Sequence, residues 1–172
     1  MKDTLLVVSI VTVLLSMTTV WMKAIAADPI DHNRSVVLRY VKEVLDGKKI
    51  DLLDELFTTD VIMHRPEGKV SNLDQVKMFF GFAFSVVTLE TTIHDIFESD
   101  NRVVVRLSHK AVFTEGASMR SRLGIHKVGG KILIWDAIAI FRLKDGKIAE
   151  EWVQLDDLGK LMQLGTVSLS SP

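Results

Sequence analysis

Proton transfer requires a titratable side chain within hydrogen-bond reach of the reacting atom. Glu151 is the first candidate for that work. In the run Lys147-Ile148-Ala149-Glu150-Glu151-Trp152-Val153-Gln154-Leu155, the two-residue period of a strand puts Glu151 and Val153 on one face. A carboxylate held in an apolar cavity has its pKa raised, which suits a general base near neutral pH. The competing role is an ion pair with Arg106 or Arg142, or a place at the solvent rim. His64 is the second candidate. It follows the apolar run Val61-Ile62-Met63 and precedes Arg65-Pro66, where it either carries a proton or fastens its loop to a backbone carbonyl. His109 alternates with Val103, Val105 and Leu107, and it shares their buried face if that face is the inner one. Tyr40, the only tyrosine, either donates its phenol to an oxyanion or packs as an amphipathic core residue. Trp135 shares a face with Ala137, Ala139 and Phe141, which turns Asp136 to the opposite face and away from Glu151.

Other chemistries lack their residues. The chain has no cysteine, which excludes disulfides, thiolate catalysis, zinc–cysteine sites and a lipoprotein anchor. Five scattered histidines without a close pair give no metal-ligand pattern, and His94 and His126 read as structural or surface groups. No nucleotide loop, nucleophile elbow or haem motif occurs, so no cofactor is expected. A net charge of −1 without a basic run leaves nucleic-acid binding no electrostatic footprint. With 172 residues, 48% hydrophobic and 25% charged, one globular domain is expected.

Several elements must position these groups. Val36, Val37, Tyr40, Val41, Val44 and Leu45 recur at helical spacing, with Asn33 or Ser35 as cap and Asp46-Gly47 as the stop. A shorter helix turns Leu52, Leu53, Leu56 and Phe57 inward, and 60–64 is a short extended piece broken at Arg65-Pro66. Asn72-Leu73-Asp74-Gln75 has the form of a capping box for a third helix carrying Leu73, Val76, Phe79, Phe80, Ala83 and Phe84. After Ser85 the pattern alternates, predicting strands over 90–98, 102–113, 118–128, 131–143 and 147–155. Asp145-Gly146 supplies the positive-φ pair of a tight hairpin, and Gly129-Gly130 makes another turn. Asp156 or Asp157 caps a short closing helix that stops at Gly165. Helices and strands segregated in this way predict an α+β fold, with helices on the concave side of a curved antiparallel sheet of about five strands. Such a sheet encloses a space of the kind that ligands favour.

The chain opens with a segment that the fold does not need. Lys2, the apolar run from Leu5 to Leu15 and Ala24-Ile25-Ala26 have the layout of a secretory signal cleaved before Ala27, over residues 1–26. The alternative is an uncleaved anchor, since Thr4 to Met22 is roughly long enough to span a bilayer. Both place the globular part outside the cytoplasm, secreted or periplasmic, with no other membrane association. The Ser- and Thr-rich residues 166–172 read as a loose tail.

The run FRLKDGKIAEEW at 141–152, followed by Asp156, Leu158, Gly159 and QLG at 163–165, resembles the C-terminal signature of the SnoaL-like polyketide cyclases. The resemblance extends through DELFTTDVIMHRPEG and ESDNRVVVRLSH over about 33–165. It implies the cone-shaped nuclear transport factor 2-like fold. Members with cyclase activity keep an acid/base aspartate just after the tryptophan and a histidine in the preceding strand. Those positions here are Val153, aligned on Trp152, and Ala139, aligned on Arg142, and neither can carry a proton. The resemblance also places His64 near a cavity mouth. A pocket lined by Tyr40, Phe57, Phe80, His109, Trp135, Ala139, Phe141 and Val153 is expected.

Two functions follow. One is an exported domain that binds a small apolar or cyclic molecule and performs cofactor-free isomerase, cyclase or hydratase chemistry through Glu151 and His64. The other is a non-catalytic module of the same fold, whose cavity is merely core. In both, Ile138, Ile140 and Trp152 on the outer sheet face favour a homodimer.

Overall fold

The computed structural model describes residues 29–168. Helix α1 (Pro29–Arg39) runs directly into a π-helical segment, Tyr40–Asp46. A 3-10 turn (Ile50–Leu52) leads to α2 (Leu53–Leu56), then β1 (Phe57–Arg65) and β2 (Gly68–Ser71). Helix α3 (Leu73–Val86) precedes the long strands β3 (Val87–Ser99) and β4 (Arg102–Phe113). The short β5 (Ser118–Ser121) and β6 (Gly124–Lys127) come next, then β7 (Ile132–Lys144), β8 (Lys147–Leu155) and α4 (Asp157–Gln163). The fold is α+β, as the segregated pattern predicts: four helices and a curved, mostly antiparallel sheet.

Local chemistry fixes the joints. Asp145 and Gly146 have φ of 51° and 73°, the left-handed pair of a two-residue hairpin loop, and they lock β7 to β8. Asn72 caps α3 by accepting from the Gln75 amide at 3.0 Å, while Gln75 Oε1 accepts from the Ser71 amide at 3.2 Å. Asp156 caps α4 by accepting from the Gly159 amide at 2.8 Å. Gly165, at φ 72°, closes the helix by donating to the Met162 carbonyl at 2.9 Å.

The sheet has six strands, in the order β2-β1-β8-β7-β4-β3, rather than about five. The extended piece around 60–64 is a full strand, β1, which pairs parallel with β8 and places that strand inside the sheet. The segment 118–128 forms a separate two-stranded hairpin, β5–β6, because Arg122 and Leu123 turn the chain back on itself. Strand β3 begins at Val87, directly after α3. Asn33 and Ser35 lie inside α1, which starts earlier at Pro29, so neither caps it. Phe57 opens β1 instead of closing the second helix. The expected leader over 1–26 lies outside the described residues. Among the described residues, no helix is long and apolar enough to cross a membrane.

The core fills the space between the helices and the concave sheet face. Tyr40 stands at its centre, with ring contacts at 5.1 Å to Phe57, 6.1 Å to Phe80 and 5.8 Å to Phe141, all edge-on. Ile148 is fully buried beside Phe57 in the β1–β8 pair, whereas Ile125 on the β5–β6 hairpin is largely exposed. Ile148→Ala is therefore expected to lower unfolding free energy by about 2–5 kcal/mol. Ile125→Ala should stay within about 0.5 kcal/mol of the parent. Urea denaturation of both variants checks the sidedness, and equal losses would contradict it.

Candidate active site

Strand periodicity selects which side chains meet above the concave face. On β8, Glu151, Val153 and Leu155 point inward, and on β7 so do Trp135, Ala137, Ala139 and Phe141. Strand β4 adds Leu107 and His109, the Tyr40–Asp46 segment adds Tyr40, and α3 adds Phe79, Phe80 and Phe84. Together they enclose a chamber of about 140 Å³. Its polar members are Glu151, His109, Tyr40, Arg65 and the Trp135 indole. A π-helical turn is rare and often marks a functional position, and here it begins at the residue that brings a phenol to the chamber.

Glu151 is 3% exposed, and its Oε2 is buried with no hydrogen-bond partner among the described residues. Burial lifts the carboxyl to about 7, against the opposing pull of the Arg65 charge. Near neutrality the group therefore exists in both forms and can give or accept a proton. Tyr40 is pushed well above the usual phenol range, by burial first and by the Glu151 charge second, so it remains a donor.

His109 is 7% exposed and belongs to a buried relay. Thr91 Oγ1 donates to Asp46 Oδ1 at 2.6 Å and lies 2.8 Å from His109 Nδ1. The threonine hydroxyl has one proton, and a carboxylate can only accept it. His109 Nδ1 must then carry the proton and donate to Thr91, which leaves Nε2 as the unprotonated nitrogen. Lys42 holds the far end of the relay, donating to Asp46 Oδ2 at 3.1 Å and to the Thr91 carbonyl. Burial lowers His109 to about 4; Asp46 opposes the shift, and Arg65, Lys160 and Lys42 add to it. The imidazole is neutral at physiological pH.

The structure brings together most of the residues that the sequence singled out. Glu151, Tyr40, Phe80, His109, Trp135, Ala139, Phe141 and Val153 all line the chamber. Phe57 does not: it stands behind Tyr40 and packs against that ring. His64 is a second correction. It points to the opposite sheet face, where it bonds Glu150 Oε1 at 2.9 Å and stacks on Trp152 at 5.3 Å. Parity is the reason, since Val61, Met63 and Arg65 share the inner face of β1 and His64 alternates with them. Arg65 is accordingly the residue that sequence reading missed, together with the Asp46–Thr91 relay. The ion-pair alternative weighed for Glu151 belongs to its neighbour, for Glu150 accepts from Arg142 at 3.0 Å while Arg106 pairs with Asp95 at 2.6 Å. Among the described residues no cluster of His, Asp or Glu has the grouping of a metal site.

A family model for SnoaL-like polyketide cyclases matches residues 35–164. The chain belongs to the SnoaL-like polyketide cyclase family. No curated protein matches it. Solved structures with the same fold include one from Jannaschia sp. CCS1 assigned to the SnoaL-like polyketide cyclases, with TM-score 0.69 and 19% identity, covering 83% of this chain and 98% of that one. TsrD from Streptomyces laurentii has TM-score 0.67 and 20% identity, covering 82% and 99%. An LEH-like epoxide hydrolase from M. tuberculosis has TM-score 0.65 and 13% identity, covering 81% and 93%. At these identities the likeness establishes the cone-shaped nuclear transport factor 2-like fold.

Within this SnoaL-like domain, Ala139 and Val153 are direct cross-strand partners and both face the chamber. The positions that the resemblance assigns to the family's proton carriers are thus inside the cavity and apolar. Glu151 lies one step along the same face, paired across to Phe141.

The buried groups make stability depend on pH in a defined way. Glu151 holds its proton more tightly folded than unfolded, so its contribution is complete below 4.5 and lost as pH rises through about 7. His109 has the opposite sign: its contribution is present above 6.5 and lost as pH falls toward about 4. Glu151→Gln removes the first term. At about pH 8 the variant should be more stable than the parent by on the order of 2–3 kcal/mol, with the gap closing near about pH 4. Urea midpoints at the two pH values decide it, and an equal gap at both would show that burial does not raise the carboxyl.

Proposed function

We propose that this domain works outside the cytoplasm, binds a small apolar or cyclic molecule, and moves protons on it without a cofactor, as an isomerase, cyclase or hydratase does. The observation that carries the reading is the Glu151 carboxyl, whose Oε2 is buried without a hydrogen-bond partner among the described residues, in an apolar chamber that it shares with His109. For a carbonyl compound the steps balance internally. His109 Nε2 takes a proton from the carbon beside the carbonyl, and the C–H electron pair moves onto the carbonyl oxygen. The protonated Glu151 carboxyl and the Tyr40 phenol donate hydrogen bonds to that oxygen as its charge develops. The imidazolium then returns its proton to a carbon of the same molecule. Asp46, through Thr91, steadies the imidazolium while it exists. Export rests on the leader pattern of Lys2, the apolar run Leu5–Leu15 and Ala24-Ile25-Ala26.

Exchange of cyclohexanone α-protons in deuterated water, followed by NMR, tests the chemistry without knowledge of the natural substrate. The parent should accelerate exchange over buffer, and Glu151→Gln and His109→Gln should each lower that catalysis by about 100-fold. Exchange at the buffer rate, with the ketone bound in the chamber, would leave a binding module in place of an enzyme.

The outer sheet face supports a homodimer in either case. Ile132, Ile134 and Ile138 on β7 are 55%, 56% and 51% exposed, with Val112 of β4 beside Ile132. These apolar groups, interrupted on the same face by the exposed Asp136, would be covered by the same face of a second copy, the self-complementary arrangement of a two-fold interface. Sedimentation velocity should show a dimer for the parent and a monomer for Ile138→Glu. A monomeric parent would refute it.

A further inference from the structure

Strands β5 and β6 form a hairpin with two unlike faces. Register puts Arg120 opposite Ile125 and Ser118 opposite Lys127, so these side chains share one face, and all of them are exposed. Met119, Ser121 and His126 point the other way, where Ser121 is buried and its Oγ lies 2.8 Å from His126 Nε2. Arg122 and Leu123 make the turn between the strands. Leu123 is 68% exposed and Ile125 71%, so the tip and the outward face set two large apolar side chains beside the cations Arg120, Arg122 and Lys127. In a single strand over 118–128, Arg120 and Ile125 would lie on opposite faces; the turn puts them on one. The charge here is one-sided. From Gly116 to Trp135 the sequence has Arg120, Arg122, Lys127 and Lys131 and no Asp or Glu, in a chain of net charge −1. Arg122 donates to the Pro66 carbonyl at 3.3 Å, and none of Arg120, Arg122 and Lys127 forms an ion pair among the described residues. The carboxylates across the groove from the tip are engaged: Asp156 accepts from the Gly159 amide at 2.8 Å, and Asp157 pairs with Lys160 at 2.6 Å.

We infer that the outward face and tip of this hairpin dock on an anionic lipid bilayer, with Leu123 and Ile125 at the acyl boundary and Arg120, Arg122 and Lys127 among the headgroup phosphates. Both halves of the surface fit that partner. Exposed apolar side chains gain by leaving water for the acyl boundary, and cations beside them are drawn to a negative surface. A stable protein interface takes about 800 Å² from each partner and a matching shape, more than two short strands and a turn offer by themselves. A bilayer asks for no matching shape and accepts a small protrusion. Nucleic acid would satisfy the cations, but the hairpin has no Phe, Tyr or Trp to stack on bases and would leave Leu123 and Ile125 against phosphate. The contact is weak and reversible, because stable attachment takes two anchoring signals and this face supplies one. It adds a membrane contact beyond the leader, which the sequence alone does not lead us to expect, and it is independent of the proposed proton chemistry.

The chain has no cysteine, so Leu123→Cys gives the full-length protein a single site for an environment-sensitive dye. Asp51→Cys, exposed in the 3-10 turn, is the control. Vesicles of phosphatidylcholine with phosphatidylglycerol should shift emission from position 123 to the blue and leave that from position 51 unchanged, even where the leader itself holds lipid. Raised salt should reverse the shift. Adding Arg120→Gln and Lys127→Gln should raise the lipid concentration required by about tenfold, with the circular dichroism unchanged. Emission at 123 that ignores lipid would overturn the inference, and so would an equal response to phosphatidylcholine alone. A shift that grows with protein concentration in the absence of lipid would also overturn it and mark the hairpin as a contact between copies.

Discussion

Glu151 Oε2 is buried without a hydrogen-bond partner among the described residues, and the surrounding structure must bear the cost of that placement. An unsatisfied buried polar group costs about 1–3 kcal/mol, and an ionised one more, against a total stability of only about 5–15 kcal/mol. The sheet meets the cost by placing the residue where the backbone is most firmly tethered. Strand β8 is bonded on both sides, parallel to β1 and antiparallel to β7, and Glu151 has a registered partner in each, Met63 and Phe141. The Tyr40, Phe57, Phe80 and Phe141 rings then supply the apolar contact that holds the chamber walls together.

The same burial acts on two groups in opposite chemical senses. It favours the protonated form of Glu151 and the deprotonated form of His109, so each is shifted toward its uncharged form in one small space. A pair of titratable groups whose environment sets one as donor and the other as acceptor is the general arrangement of an acid and a base at work. The Asp46–Thr91 connection adds orientation, since it fixes which imidazole nitrogen bears the proton. The facing pair Ala139 and Val153 carries no titratable group, and the chamber's buried carboxyl and imidazole stand instead at Glu151, on the strand of Val153, and at His109, two strands away on β4.

Much of this was legible in the sequence, because it follows from local rules. Asp145-Gly146 dictates its own hairpin, and the two-residue period of β7 and β8 then puts Trp135, Ala137, Ala139, Phe141, Glu151 and Val153 on one face. What escaped depends on distant segments meeting. The parallel pairing of β1 with β8 has no local signal, and without it the parity of β1 relative to the chamber is undetermined. Hence the sequence alone points to His64 near the cavity mouth and gives no ground for preferring its neighbour Arg65. The relay was hidden for the same reason: Asp46, Thr91 and His109 sit on three elements, and Thr91 reads as one more alternating strand residue. The residues 118–128 misled differently, for their alternation continues through a turn that no glycine or proline announces before Gly124.

The small size of the chamber narrows what its chemistry can reach. Pockets that swallow a whole ligand usually run to about 300–1,000 Å³, well above this inner volume. Only the reacting part of a larger molecule, or all of a single-ring one, can therefore sit beside Glu151 and His109. Anything further must lie along the approach between α3 and the β5–β6 hairpin, where Phe82 and Met119 offer apolar contact. Under the proposed reading, fit to the aromatic wall of Tyr40, Phe80 and Phe141 sets which ring enters. Widening that wall would admit water, and water would weaken the burial that raises the Glu151 carboxyl.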